Sequence, residues 1–270
     1  MSERQLNPIH SADDIVEPAV RLQTYIIQRS LPDETQPEPY QPAQNPNELI
    51  DHEVDQHNNY IVKDELARGA FGRILLMTDQ INGNDIIMKH LPYVTQSMKQ
   101  IADEEVKMLK LAQSKYTVRF IKSFQHEIDL CIVMKYYPRG NLKEFIKSLK
   151  DKLLPERTHI CKRFAYQVLR TLKHLKIKDI IHRDLKPENI FLDWRGNAIT
   201  GDFGLAMKMK NEGYVRTAGT KLYQPIEALN SDHMTFESDI WALGVILCEI
   251  LTGIHPYQGL IKKTNSRNIT

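Results

Sequence analysis

The segment His182-Arg183-Asp184-Leu185-Lys186-Pro187-Glu188-Asn189 places a carboxylate, an ammonium and a primary amide in one short stretch. Transfer of a phosphoryl group to a hydroxyl needs such a set. Asp184 can accept the hydroxyl's proton, Lys186 can neutralise charge on the transferred group, and Asn189 can hold a metal ion. Asp202-Phe203-Gly204 follows, eighteen positions after Asp184. Its carboxylate adds a second hard oxygen, the donor type that suits Mg2+. Asp-Phe-Gly alone is a weak three-letter match. The two motifs together, in this order and spacing, are a specific signal.

These residues need a frame to hold them. From Tyr60 to about residue 92 the chain shows short β-prone runs broken by Gly69, Gly72 and Asn82-Gly83, the last a tight hairpin signal. Residues 95–113 carry Met98, Ile101, Val106, Leu109 and Leu111 at helical spacing. Two further strand-like runs, Val118–Phe124 and Leu130–Tyr136, precede Gly140. Beyond it, helices are expected at 141–150, 156–177 and 237–252, interrupted by β-prone pieces near 180 and 190–200. A strand-rich front with one helix and a helical rear imply an α+β chain of two lobes with a cleft between them.

Composition sets outer limits. The chain has 270 residues with a net charge of +2, but residues 1–59 carry 3 Lys and Arg against 11 Asp and Glu. The body from residue 60 is correspondingly basic, which suits a phosphate-bearing ligand, although a solvated surface explains a charge excess equally well. Residues 31–59 are rich in Pro, Gln, Asn and acids and are expected to be disordered. Ile15, Val16, Ala19, Val20, Leu22, Ile26 and Ile27 could line a short helix before them. Cys131, Cys161 and Cys248 all sit in apolar runs without metal-ligand spacing and read as buried free thiols. The first residues lack the apolar core of a signal peptide, and the longest apolar stretch, Ile240–Leu251, is too short to span a bilayer and contains Glu249. An intracellular protein, cytoplasmic or nuclear, with no membrane partner is expected. No interleaved aromatic and basic strip points to nucleic acid.

On the two motifs, the chain resembles the eukaryotic protein kinase domain of serine/threonine type from about Tyr60 onward. The resemblance implies a two-lobed kinase-like fold after an acidic tail at 1–59: a β-rich N-lobe at about 60–134, a hinge at 135–140 and a C-lobe from 141 to 270. The family's last three C-lobe helices have no counterpart after Gly259, so the domain reads as C-terminally truncated, with helical surface near 240–252 left exposed.

The resemblance also implies roles. Leu66-Ala67-Arg68-Gly69-Ala70-Phe71-Gly72-Arg73-Ile74 resembles the glycine-rich loop over ATP, with Ala67 in place of its first glycine. Ile86-Ile87-Met88-Lys89 stands where the family has Val-Ala-Ile-Lys. Lys89 would hold the α- and β-phosphates and pair with Glu105, with Glu104 as the alternative. Ile87 replaces the usual alanine beneath the adenine, an over-packing that would cost roughly 1–3 kcal/mol. Phe191 would form the pocket floor, Met134 the gatekeeper, and backbone groups of Lys135 and Tyr137 would meet the adenine edge. Asp202 and Asn189 would hold Mg2+. Gly219-Thr220-Lys221-Leu222-Tyr223 matches Gly-Thr-x-x-Tyr, while Pro225-Ile226-Glu227 keeps only the acid of Ala-Pro-Glu. Thr217, or alternatively Tyr214, is the expected regulatory phosphosite, set by an activating kinase or by autophosphorylation and read by Arg183. Asp239, in Ser238-Asp239-Ile240-Trp241, would hold the backbone near His182 and Arg183. Leu109, Phe120, Phe203 and His182 would stack as a regulatory spine.

Asn189-Ile190-Phe191-Leu192, Gly201 before Asp202, and the stretch LCIVMKYYPRGNL from Leu130 to Leu142 look like the NIMA-related kinases, and polo kinases share the first two features. The implied activity is ATP- and Mg2+-dependent phosphorylation of a protein hydroxyl, with Glu188 offered to a basic substrate residue. Ala67, Ile87, the altered Pro225-Ile226-Glu227 and the short C-terminus support a competing reading, a pseudokinase or scaffold that binds partners without turnover.

Overall fold

The computed structural model describes residues 57–69, 72–209 and 211–257. The expected N-terminal helix, the acidic linker up to Gln56 and the segment after Tyr257 lie outside them.

The N-terminal half of the described chain is a five-stranded antiparallel sheet in the order β1-β2-β3-β5-β4. Its strands are β1 (Tyr60–Gly69), β2 (Gly72–Asp79), β3 (Asp85–Pro92), β4 (Phe120–His126) and β5 (Asp129–Lys135). The β2–β3 turn is closed by Asp79, whose carboxylate accepts from the Ile81 N–H and the Asn82 amide, and Gly83 takes φ +72° there. Side chains alternate across a strand, and this alternation assigns the two faces. Leu75, Met77, Ile86 and Met88 are buried with Tyr60, Phe124, Cys131 and Val133 on the outer face. Ile74, Leu76, Ile87 and Lys89 point the other way and are only partly buried. Cross-strand pairing sets Ile74 opposite Lys89, and Ile87 between Leu76 and Met134.

Helix α1 (Gln96–Leu111) starts where the Thr95 hydroxyl accepts the Met98 N–H, satisfying one orphan donor of the first turn. It buries Ala102, Glu105, Val106, Met108 and Leu109. Four further helices among the described residues form the second half: α2 (Leu142–Ser148), α3 (Leu154–Ile177), α4 (Ile226–Ser231) and α5 (Phe236–Thr252). One hydrophobic cluster runs continuously from Leu109 on α1 through Phe203 to Phe164 and Leu172 on α3 and Leu243 and Ile246 on α5. Phe120 packs against it, and the His182 ring lies 5.1 Å from the Phe203 ring. Of the residues expected to stack, Leu109, Phe120 and Phe203 thus share this cluster, and His182 lies against Phe203.

Three two-stranded ladders hold the loops between α3 and α5: β6 (Ile180–Ile181) with β9 (Met207–Lys208), β7 (Ile190–Leu192) with β8 (Ala198–Thr200), and β10 (Val215–Arg216) with β11 (His233–Met234). Helix α5 ends at Gly253 in the left-handed conformation, φ +78°, which glycine adopts without a Cβ penalty.

One sequence expectation is corrected. Cys131 and Cys161 are buried free thiols, but Cys248 is exposed. It shares a helical stripe with Trp241 and Gly244 on the outer side of α5, while Leu247 and Glu249 turn inward. The apolar run around it hid this 3.6-residue period. Within 240–252 the exposed residues are Trp241, Gly244, Cys248 and Thr252.

Candidate active site

The site is built where the two halves meet. From the sheet, β3 delivers Lys89, whose Nζ lies 2.6 Å from Glu105 Oε1 on α1 and 3.7 Å from Asp202 Oδ1. Burial works against the Lys89 ammonium, but the two carboxylates outweigh it and hold its pKa above the ordinary lysine value. Glu104 instead pairs with Lys107 on the helix surface.

Asp184 sits in the loop after β6 and is almost fully bonded. Its Oδ1 accepts the Thr220 N–H and the Thr220 hydroxyl, both at 2.8 Å. Its Oδ2 accepts from Lys186 Nζ at 2.7 Å and from Asn189 Nδ2 at 3.1 Å. Burial raises the Asp184 carboxyl, yet the Lys186 and Thr220 hydrogen bonds prevail and hold it below the usual aspartate range. Lys186 Nζ also reaches the Thr220 hydroxyl at 3.0 Å. Thr220 was named in the sequence only as part of a motif; the fold makes it a direct partner of the carboxylate.

The loop is fixed from beneath. Asp239, buried in the first turn of α5, accepts the His182 N–H at 2.8 Å and the Arg183 N–H at 3.0 Å. The expectation for this residue came from resemblance. Gly219 must be glycine: it takes φ +90°, and a Cβ there would run into the Arg183 carbonyl and the Asp184 side chain. Gly201 is equally confined, since a Cβ would strike Val118 and Phe191.

Asn189 spends its amide nitrogen on the Asp184 carbonyl and carboxylate, which leaves its oxygen as the atom that could ligate a metal. Asp202 takes φ +57° and leaves its side chain about half exposed beside Lys89. Two hard oxygens of this kind fit Mg2+, which takes one or two protein ligands and completes its shell with phosphate and water. Among the described residues no group of three or more His, Cys, Asp or Glu could hold a metal by itself.

Below Lys89 lies an apolar wall. Val118, Tyr137 and Ile199 are buried together, with Met134 and Phe191 packed against them. The Tyr137 and Phe191 rings are stacked at 6.4 Å. Ile74 and Ile87 face the same side from the sheet. Ala67 pairs with Ile74 and Gly69 with Gly72 at the β1–β2 end, while Ala70 and Phe71 lie outside the described residues. Lys135 donates its N–H to the Arg119 carbonyl.

The remaining expected residues are placed as follows. Arg183 Nε donates to the Leu205 carbonyl at 2.6 Å and Nη1 to the Arg216 carbonyl at 2.9 Å. The Thr217 hydroxyl donates to the Ala228 carbonyl, and its N–H donates to the Asp232 carboxylate. The Tyr214 ring lies 3.7 Å from the His233 ring. Glu227 is exposed on α4 and has no ion pair among the described residues.

No described helix is long and apolar enough to cross a membrane. A family model described as protein kinase domain matches residues 60–270. Serine/threonine-protein kinase Nek3 of Mus musculus, a NIMA-related kinase, is 34% identical over 74% of this chain and 39% of its own length. MAP3K epsilon protein kinase 1 of Brassica napus is 32% identical over 75% of this chain and 16% of its own. Serine/threonine-protein kinase PLK2 of Mus musculus is 30% identical over 72% and 28%. The chain thus spans well under half the length of these curated relatives. With the paired Lys89 and Glu105, the bonded Asp184 loop and a match over every described residue from Tyr60 onward, the chain belongs to the protein kinase domain family, and its relatives Nek3 and PLK2 are serine/threonine kinases.

Proposed function

We propose that this chain transfers the γ-phosphoryl group of ATP to a serine or threonine hydroxyl of a protein, with Mg2+ as the metal. The observation that carries the reading is the Lys89 ammonium, held by Glu105 at 2.6 Å and facing Asp202 at 3.7 Å. An ammonium so fixed is ready for the α- and β-phosphates. Asn189 and Asp202 would hold Mg2+, which when bound neutralises phosphate charge. The adenine would lie against Ile74, Ile87, Met134, Tyr137 and Phe191, its edge reading the Lys135 and Tyr137 backbone.

Asp184 is kept ionised by Lys186 and Thr220, so it is a competent proton acceptor at neutral pH. The substrate hydroxyl oxygen forms a bond to the γ-phosphorus, the bond from that phosphorus to the ADP oxygen breaks, and the hydroxyl proton passes to Asp184. Lys186, beside Asp184, faces the developing charge. The residues 1–59, the hinge and the lobe boundaries at 60–134 and 141–270 are assigned on the same reading. Phosphorylation at Thr217 or Tyr214, by another kinase or by the chain itself, would act on the segment between Asp202 and Glu227. At Thr217 the phosphate would meet the Asp232 carboxylate.

The test is incorporation of 32P from γ-labelled ATP into a generic basic protein substrate. Wild type should label it, and Asp184→Ala and Asp202→Ala should not. Equal labelling by all three proteins would remove the catalytic reading and leave a binding scaffold.

A further inference from the structure

Beside the catalytic loop, a cavity of about 530 Å3 is lined by Lys143, Lys147, Lys186, Glu188, Thr220 and Glu249 among others. Lys186 and Thr220 are both bonded to Asp184, so anything in this cavity lies next to the proton acceptor. An extended peptide presenting its hydroxyl to Asp184 would place a neighbouring side chain there.

The cavity has an acidic corner. Glu249 projects inward from α5 and is almost fully buried; its Oε1 accepts the Tyr223 hydroxyl at 2.6 Å. Glu188 enters from the catalytic loop, and its Oε2 is shielded from solvent with no hydrogen-bond partner among the described residues. Two carboxylates, one with an unsatisfied oxygen, form a receptor for a cation. A cation of this chain is already present. Lys143, in the first turn of α2, sets its Nζ 3.5 Å from Glu249 Oε2 and 3.7 Å from Glu188 Oε1.

We propose that Lys143 determines the peptide preference of this cavity by occupying its acidic corner with its own ammonium, so that a basic substrate side chain is disfavoured there. The inference rests on the phosphotransfer reading only for its biological use, since the corner and its occupant are features of the folded chain. A substrate Lys or Arg entering the corner would meet Lys143 at close range, and like charges so near repel. To bind, it would have to displace an ammonium that Glu249 and Glu188 share. Glu188 as a receptor for basic residues is thus latent rather than open.

The test uses fluorescein-labelled, serine-centred alanine peptides in which one arginine is walked from four positions before the serine to four after. Binding is read by anisotropy without nucleotide, and phosphorylation is read in parallel. Wild type should show no arginine position better than the all-alanine parent. Lys143→Gln, whose amide can still donate to Glu249, should show one arginine position gaining about tenfold in affinity. Lys143→Met should show the same gain at the same position. Lys143→Arg should behave as wild type, and adding Glu188→Gln to Lys143→Gln should cancel the gain. No gain in folded Lys143→Gln, or the same gain already in wild type, would overturn the proposal. If the anisotropy gain appears but no peptide is phosphorylated by any of the proteins, the proposal stands and the catalytic reading falls.

Discussion

Lys89 on β3 and Glu105 on α1 form an ion pair of 2.6 Å that ties the sheet to the helix behind the site. Both side chains are largely buried, and removing one partner strands the other charge in a desolvated place. Glu105→Ala and Lys89→Ala should each lower stability by roughly 3–5 kcal/mol. Both should also reduce kcat/KM at least about a hundredfold, because the ammonium proposed to meet the phosphates would lose its position. Urea melts and steady-state phosphate incorporation measure the two effects. Glu104→Ala should change neither.

The Asp184 carboxyl titrates below the ordinary aspartate value, about 3.9. A carboxylate with a depressed folded-state pKa contributes stability that is complete above its unfolded pKa and is lost as pH falls through the folded one. Wild-type stability should therefore decline below about pH 4, in part through this group. Thr220→Val removes the hydroxyl bonded to Asp184 Oδ1. It should raise the Asp184 pKa and move any acid limb of kcat/KM due to this residue to higher pH.

His90 is shifted in the same direction. Burial, then the nearby Arg73, lowers its pKa to about 4, against the opposing pull of Asp129. The unfolded histidine binds a proton near pH 6.5, so between about 6.5 and 4 the unfolded state takes up more protons. Stability should be full above this window and fall as pH drops through it, by up to about 3 kcal/mol. His90→Gln should flatten that slope. Denaturant midpoints at pH 7.5 and 5 would record it.

Asp239 is the floor of the catalytic loop. Asp239→Ala leaves the His182 and Arg183 N–H groups buried without an acceptor. A buried unsatisfied donor costs about 1–3 kcal/mol, and more where the lost partner was charged. A drop in Tm of at least about 5 °C is expected, with Asp239→Asn intermediate because one amide oxygen remains. An unchanged melt would mean that the loop is held elsewhere.

Ile87 stands between Leu76 and Met134 on the cleft side of the sheet. Ile87→Ala should make room for the adenine and tighten ATP·Mg2+ binding about tenfold, at a modest cost in stability. Calorimetric titration of both proteins with ATP and Mg2+ would show it.

Much of this was legible in the chain itself. Short β-prone runs broken by Gly69, Gly72 and Asn82-Gly83 marked β1 to β3, whereas the cleft face of β3 was assigned only by its pairing and burial. Helical spacing located α1, α3 and α5 within a few residues. Lys89 with Glu105, and Asp239 with the catalytic loop, followed from resemblance to the family and were found in contact. The rest depended on long-range placement. Thr220 reaches Asp184 across thirty-six positions, and no local pattern shows which hydroxyl will do so. Lys143, Glu188 and Glu249 come from three elements, so their shared corner has no trace in any one segment. Cys248 was misjudged because an apolar run conceals which side of a helix faces water, although counting from Trp241 to Gly244 to Cys248 marks the outer side.

Arg183 holds two carbonyls, Leu205 and Arg216, on opposite arms of the segment that follows Asp202. One side chain thus clasps that segment near both its beginning and its middle, using only main-chain atoms that every sequence carries. An incoming phosphate would have to compete with this clasp rather than create it. Order in the segment is in that sense inherited from the fold, and a covalent mark would retune an arrangement that already exists.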